Sequence, residues 1–422
     1  MLSYSQTHTD DCRIFSGIFT PWPGAASRAA APALAALLAA MWAAPAAADI
    51  SDTIHPFAAV TVSRDGNLFR LADQDASSGP RADTIRQLQG GFTFERPIGR
   101  QVLSGQAKVS KVTFGHYQQL NYNGRDLLAA LEWHVGNHID GHAGVSNAQT
   151  LTPFTDFRSN ERNLRVQRRE YLDGGWRFHP SWRVRGGMTQ DHFEYELLSQ
   201  RFSERKERSA ELGVDYLASS DSRVGLQLRR VSSDYPNKRV VGGIGIDEGY
   251  VQNELKASIY WRFSGVTQMQ FLGGLVERKH SLFTLRDSKG TNGRLVVYWT
   301  PLSKLRLTAT GWREFGAVES SFVNSSLSVG GSLAATWDIS SKLRADAQVR
   351  REKRDFSSIN GVVFPSGATD TTRSASLGLT YSPHRSIQLG VGLTHDVRDG
   401  AALIGTGSYS ANGVSLNANA RF

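Results

Sequence analysis

Three histidines, His134, His138 and His142, recur every four residues, the spacing at which a helix would stack three imidazoles around a transition metal. Gly136 and Gly141 interrupt them, and the flanking residues alternate. The segment therefore reads as strand, turn, strand, and the shared face is lost, so no metal is assigned. Gly242, Gly243 and Gly245 lack the strand-to-helix context and the final spacing of a dinucleotide loop. There is no Walker lysine motif and no Gly-x-Ser-x-Gly elbow. A hydrolase built on Ser and His would need a nominated nucleophile, and no local pattern supplies one. The reading is of a non-enzymatic protein without a cofactor.

Arginines carry more information. Arg183, Arg185, Arg223, Arg229, Arg262, Arg294, Arg306 and Arg344 all occupy the polar phase of alternating segments. In a closed sheet that phase lines the interior, where rings of basic side chains bias a channel toward anions. The competing reading pairs them with Glu211, Asp215, Glu254 and Asp346 in a structural network with little net field. The two stand equal at this point. The charge runs Arg165–Glu170 and Glu204–Arg208 read as a solvated rim or as contacts to lipopolysaccharide phosphates, which suit arginine geometry.

The elements that position these residues repeat. Alternating residues, a tight turn, alternating residues and a long polar loop recur, with turns centred near Pro97, Asn137, Pro180, Ser220, Gly265, Pro301, Ser340 and Pro383. The clearest copy sets Leu377, Leu379 and Tyr381 against Ser376, Gly378 and Thr380, turns at Pro383, and then sets Ile387, Leu389, Val391 and Leu393 against Gln388, Gly390 and Gly392. One face is greasy and the other wet. A comparable period could mark a propeller blade, but each unit here offers two long strands rather than four short ones. A soluble sandwich would have to accommodate the same regular asymmetry on an unusual number of long strands.

Eight hairpins, a first strand over Thr53–Val62 and a terminal strand predict an all-β, antiparallel transmembrane outer-membrane barrel of about 18 strands, with 16 as the alternative count. An even number puts both ends of the sheet on the side of the short turns, the periplasm. The longer loops, Ser63–Ile85, Ser146–Arg168 and Arg354–Thr372, then face outward. Trp176, Trp182, Trp261, Trp299 and Trp337 lie near the tight turns, as an aromatic girdle requires.

Both ends of the chain fit this expectation. Val414, Leu416, Ala418, Ala420 and Phe422 alternate with polar or small residues. A strand edge in lipid needs a partner, and the first strand can supply it. Phe422 resembles the terminal insertion signal of outer-membrane barrels, which implies the barrel-insertion machinery as a partner. Ala29–Ala48, with Arg28 before it and Ala46-Ala47-Ala48 as its exit, reads as a secretory signal peptide, so 1–48 is assigned to a leader and 49–422 to one barrel domain. The only cysteine, Cys12, lies in that leader, and the sheet owes nothing to disulfides. The formal charge of +9 favours outer-membrane lipids, lipopolysaccharide or acidic glycans as partners. Nucleic acid is not expected outside the cell.

Asp65-Gly66-Asn67-Leu68-Phe69-Arg70-Leu71, with Asp83-Thr84-Ile85 and Leu120-Asn121-Tyr122, resembles the EpsL-type outer-membrane proteins of exopolysaccharide operons, in the β-barrel porin superfamily. The resemblance covers essentially the whole chain after the leader, with Asn-Leu-Phe-Arg as its motif-like core. It implies a barrel that takes part in exopolysaccharide biosynthesis or export, working with export-system components on a polysaccharide substrate. It supplies no catalytic residues. From the residues alone, Asp65, Asn67 and Arg70 form either a polar turn folded into the lumen or an ordinary turn with Leu68 and Phe69 as its apolar staple. The expectation is a polysaccharide-guiding channel with a basic lumen, the alternative a general diffusion porin favouring small anions.

Overall fold

The computed structural model describes residues 53–72, 79–155, 157–241, 244–281, 287–317, 325–356, 368–400 and 407–422. The leader assigned to 1–48 lies outside them, as do Gly242 and Gly243.

The strands are β1 (Ile54–Asp65), β2 (Asp83–Ile98), β3 (Gln101–Phe114), β4 (Tyr122–Val135), β5 (Ile139–Leu151), β6 (Leu164–His179), β7 (Trp182–Tyr195), β8 (Arg205–Leu217) and β9 (Arg223–Asp234). After a two-stranded loop hairpin, β10 (Arg239–Val241) and β11 (Ile244–Ile246), come β12 (Tyr250–Arg262), β13 (Thr267–His280), β14 (Ser288–Leu302), β15 (Leu305–Ala317) and β16 (Ser325–Asp338). The ring ends with β17 (Leu343–Phe356), β18 (Thr369–His384), β19 (Ile387–Asp399) and β20 (Tyr409–Arg421). Eighteen of these form one sheet in which every neighbour is antiparallel, and β1 pairs with β20 from Phe57↔Arg421 to Asp65↔Gly413. The ring is closed, so no edge is left for lipid or for another chain.

Directly paired residues share a face, so the register sorts every side chain into one of two sets. Contacts between strands far apart in the ring can run only through the interior, and they identify the inner set. Arg398 on β19 donates to the Thr155 carbonyl in the β5–β6 loop at 2.5 Å. The other set holds Leu377, Leu379, Leu389, Val391 and Leu416, all exposed although apolar. Such a surface is stable only against hydrocarbon. This greasy-out, polar-in alternation is the one read from the hairpins, and Leu212↔Leu228, Val214↔Leu226 and Tyr216↔Val224 pair as that reading requires.

The outer face has unlike ends. At the turn end, Trp176, Trp182, Trp261, Trp299 and Trp337 point outward and form the expected girdle with Phe178, Tyr216 and Phe263. Both ends of the sheet, Ile54 and Arg421, lie on this side.

Three turns differ from their predicted centres. Pro97 pairs with Val102 within the β2–β3 ladder, and the chain turns at Gly99 (φ +62°) and Arg100. Pro301 and Pro383 sit in register shifts between Trp299 and Leu302 and between Tyr381 and His384, just before the turns. Proline lacks the N–H that a ladder needs, and a bulge removes that need. The strands also run further than the polar loops suggested. The first loop narrows from Ser63–Ile85 to 66–82, and the third from Ser146–Arg168 to 152–163, because lumen-facing strand residues are polar and look like loop.

Candidate functional site: the barrel lumen

An 18-stranded ring is wide enough to hold water along its axis. What occupies that space differs along it. At the loop end, segments from β1–β2, β3–β4 and β5–β6 fold inward over the wall. Ile85, Val112, Phe114 and Tyr122 face the interior there, and Leu68, Phe69 and Leu120 cover them. The Phe69 ring meets Tyr117 at 4.7 Å and Phe154 at 4.9 Å between centroids, both edge-on. This is a dry cluster inside a wet barrel, and burial of apolar area holds it.

The motif around Asn67 shapes the first of these loops. Asp65 Oδ1 accepts the Asn67 N–H at 2.8 Å, and the Arg70 guanidinium pairs with the same carboxylate at 2.8 Å while also donating to the Asn67 carbonyl. Asn67 donates to the carbonyls of Leu71 and Ser410 at 2.7 and 3.0 Å and accepts the Leu71 N–H at 2.8 Å. Arg70 adopts φ +57°, a left-handed conformation that this bonding stabilises. The polar side chains thus close a turn on itself and tie it to β20, while Leu68 and Phe69 point into the apolar cluster. The two sequence alternatives, polar turn and apolar staple, are two sides of one element.

Asp83 is the second anchor. Its carboxylate, fully buried, accepts backbone N–H groups of Thr84 (2.6 Å), Gly115 (3.0 Å), His116 (2.9 Å) and Tyr117 (3.1 Å). One carboxylate thus holds the β3–β4 loop against the wall. A third tie crosses the mouth. Arg398 reaches Thr155, Arg158 donates to the Gly407 carbonyl at 3.4 Å, and Asp370 pairs with Arg354 at 2.7 Å and Arg398 at 3.5 Å. Arg70 and Arg398 both lie against the Tyr409 ring, at 5.7 and 5.6 Å from its centroid.

All eight predicted arginines lie on the inner set of the register. Seven of them meet carboxylates. Arg183 pairs with Asp140 (2.5 Å), Arg185 with Asp215 (3.0 Å), Arg229 with Glu254 (3.8 Å), Arg262 with Asp221 (2.7 Å) and Arg294 with Glu314 (2.7 Å). Arg306 and Arg344 share Asp338 at 2.9 and 2.8 Å, and Arg223 lies 5.6 Å from the Tyr260 ring centroid. Glu211, Asp215 and Glu254 act as partners, as the network reading has it. Asp346 instead accepts the Thr336 hydroxyl at 2.8 Å.

Inner-face charge is nonetheless uneven around the ring. On β1–β5 it is acidic, with Asp65, Asp83, Glu95, Asp126, Glu132 and Asp140 against Lys108. On β12–β15, nine strands away in an eighteen-strand ring and hence opposite, it is basic: Lys256, Arg262, Arg278, Arg294 and Arg306 against Glu254 and Glu314. Sequence reading missed Lys256 and Arg278 on this wall. Glu277 and Lys279 flank Arg278 on the lipid side, which hides the alternation. It also missed Arg354 and Arg398, which lie close to loops.

The histidine series is divided as expected: His138 is in a turn, while His134 and His142 face inward and His142 contacts Asp173 at 3.0 Å. Among the described residues no group of His, Cys, Asp or Glu could hold a metal ion. Of the two charge runs, Arg205 turns inward and lies 3.9 Å from the Phe193 centroid, and Arg168 pairs with Glu170 at 2.5 Å.

A closed antiparallel ring with a lipid-facing apolar set and a polar, water-accessible interior is the architecture of the porin-like outer-membrane barrels. No protein-family model and no curated protein matches the chain, and the EpsL-type resemblance thus finds no support there. Among solved structures it is similar to Acinetobacter baumannii OccAB3 (10% identity, 88% of this chain and 100% of that one, TM-score 0.47). It is also similar to the Pseudomonas aeruginosa outer membrane protein OpdK (10% identity, 88% and 98%, TM-score 0.48). A third is P. aeruginosa OccK2 (OpdF) in complex with glucuronate (9% identity, 88% and 98%, TM-score 0.48). These identities are too low to transfer residue roles.

Proposed function

We propose that the protein is an outer-membrane diffusion channel for small hydrophilic solutes that favours anions. The observation that carries this reading is the opposition of the basic β12–β15 wall to the acidic β1–β5 wall inside one closed ring. Fixed charges of opposite sign across a low-dielectric tube set up a transverse field, which orients a charged solute and draws an anion along the arginine side. Inward loops tied at Asp83 and Arg398 occupy part of the mouth on one side of the ring. The exopolysaccharide-guiding channel, the first expectation from the sequence, gains no observation of its own, and the diffusion-porin alternative is the reading adopted.

Planar-bilayer recording of the refolded full chain tests the proposal. Ohmic conductance with anions more permeant than cations is the expected result, and the double substitution Arg262→Gln/Arg294→Gln should lower that preference. Cation selectivity, or no conductance, would overturn it. If deleting the gene changed released polysaccharide and left small-anion uptake intact, the exopolysaccharide reading would replace this one.

A further inference from the structure

Every neighbouring pair in the ring but one joins strands that succeed each other in the chain, with a turn or loop between them. The exception is the seam between β1 and β20. Asn67 and Ser410, which meet there, are 343 residues apart. Closing so long a loop costs more chain entropy than closing a hairpin, and pairing between such distant segments forms slowly. No covalent link at either end of this junction limits fraying.

The seam ladder also stops short. β1 ends at Asp65, opposite Gly413, while β20 runs on through Asn412, Ala411 and Ser410 to Tyr409. β19 covers one edge of that extension, and the other edge passes the end of β1. Phe422 donates its N–H to the Pro56 carbonyl at 2.9 Å, and Arg421 donates to the Ser386 carbonyl at 2.8 Å. Alternation then turns the even-numbered carbonyls of β20, those of Ser410 and Asn412 included, to the β1 edge. Both are taken by the turn that follows β1. The Asn412 carbonyl accepts the Gly66 N–H at 3.0 Å, and a Cβ on Gly66 would come within 3.1 Å of that oxygen. The Ser410 carbonyl accepts the Asn67 side-chain amide at 3.0 Å, where the next backbone donor of a longer β1 would stand.

We propose that the Asp65–Arg70 turn is the clasp of the barrel seam, standing in for strand β1 along the loop end of β20. Asn67 is held for this task by its bonds to the Leu71 backbone, and Arg70 by the Asp65 carboxylate. All three side chains are buried, and Arg70 also lies against Tyr409, the first residue of β20. Leu68 and Phe69, in the same turn, are anchored in the apolar loop cluster. The inward loop and the loop end of the seam therefore open together.

Hydrogen exchange read by mass spectrometry on the refolded full chain in detergent tests the clasp. Asn67→Ala should speed exchange at 409–413 on β20 and at 63–65 on β1 on the order of tenfold, as loss of buried hydrogen bonds implies. The β8–β9 ladder, on another part of the ring, should keep its wild-type rate. Asn67→Asp keeps the acceptor for the Leu71 N–H but cannot donate to Ser410, and should speed exchange at 409–413 as well. If Asn67→Ala fails to fold, judged by heat-dependent electrophoretic mobility, Asn67→Gln, which keeps the amide but displaces it by one methylene, carries the comparison with a smaller change. Faster exchange confined to 66–72, with β20 at its wild-type rate, would reduce the motif to an ordinary turn and overturn the proposal. Equal acceleration in β8–β9 would overturn it too, since the residue would then serve the whole sheet rather than its seam.

Discussion

The two ends of the lumen use the same residue types for different work. At the loop end, Asp83 and Asp370 are fully buried and each serves several donors. At the turn end, Asp338 holds Arg306 and Arg344 with all three side chains partly open to water. A buried carboxylate that satisfies main-chain N–H groups organises the loops around it, and removing it strands every donor. An exposed ion pair adds little stability, because water and salt screen it. What it leaves behind is position: a charge held at a known place on a channel wall. The loop end is thus architecture, and the turn end is field.

Breaking the first half of that contrast should give the largest effect. Asp83→Ala takes the carboxylate from the N–H groups of Thr84, His116 and Tyr117 and leaves Gly115 only the Thr84 carbonyl, at a cost of about 3 kcal/mol or more to the local structure. Proteolysis at the β3–β4 loop should accelerate and bilayer conductance should rise. Unchanged cleavage would show that the apolar cluster alone holds the loops.

Phe69→Ala tests that cluster directly. It deletes a ring edge-on to Tyr117 and Phe154 and should destabilise the inward loop by about 3 kcal/mol, with a smaller rise in conductance. The combination with Asp83→Ala should be less than additive, since both substitutions release the same segment.

At the other end, Arg306→Gln/Arg344→Gln should change stability by less than about 1 kcal/mol and yet shift permeability toward cations. A shift in melting temperature comparable with that of Asp83→Ala would erase the distinction between the ends.

The smallest effect concerns pH. In the β7–β8 loop, a hydrogen bond from Arg162 holds the Glu196 carboxyl below its ordinary range, aided by the Leu164 N–H. A carboxylate with a depressed folded value contributes stability above its unfolded pKa of about 4.3 and loses it as pH falls through the folded value. Hydrogen exchange in this loop should therefore quicken only below about pH 4, and Glu196→Gln should remove the dependence.

How much of this was legible in the chain varies by level. Which side chains face lipid could be read from alternation at Leu377–Tyr381 and Ile387–Leu393, because a strand between hydrocarbon and water imposes its period on consecutive residues. The inner position of the eight arginines followed from the same phase. Arg278 escaped because charged Glu277 and Lys279 stand on the lipid side near the headgroups, where the alternation of polarity ends. The Asn67 turn was legible as polar and apolar options, since both sets of residues are adjacent in the chain.

Local pattern thus determined the barrel, its strand count and the face of the residues that alternate cleanly. Only the closed ring decided that Arg398 would meet Thr155, that Asp83 would hold the β3–β4 loop, and that acid on β1–β5 would stand opposite base on β12–β15. Those relations join residues widely separated in sequence through the interior. No period along the chain encodes them, because curvature and closure, rather than the neighbours of any one residue, bring them together.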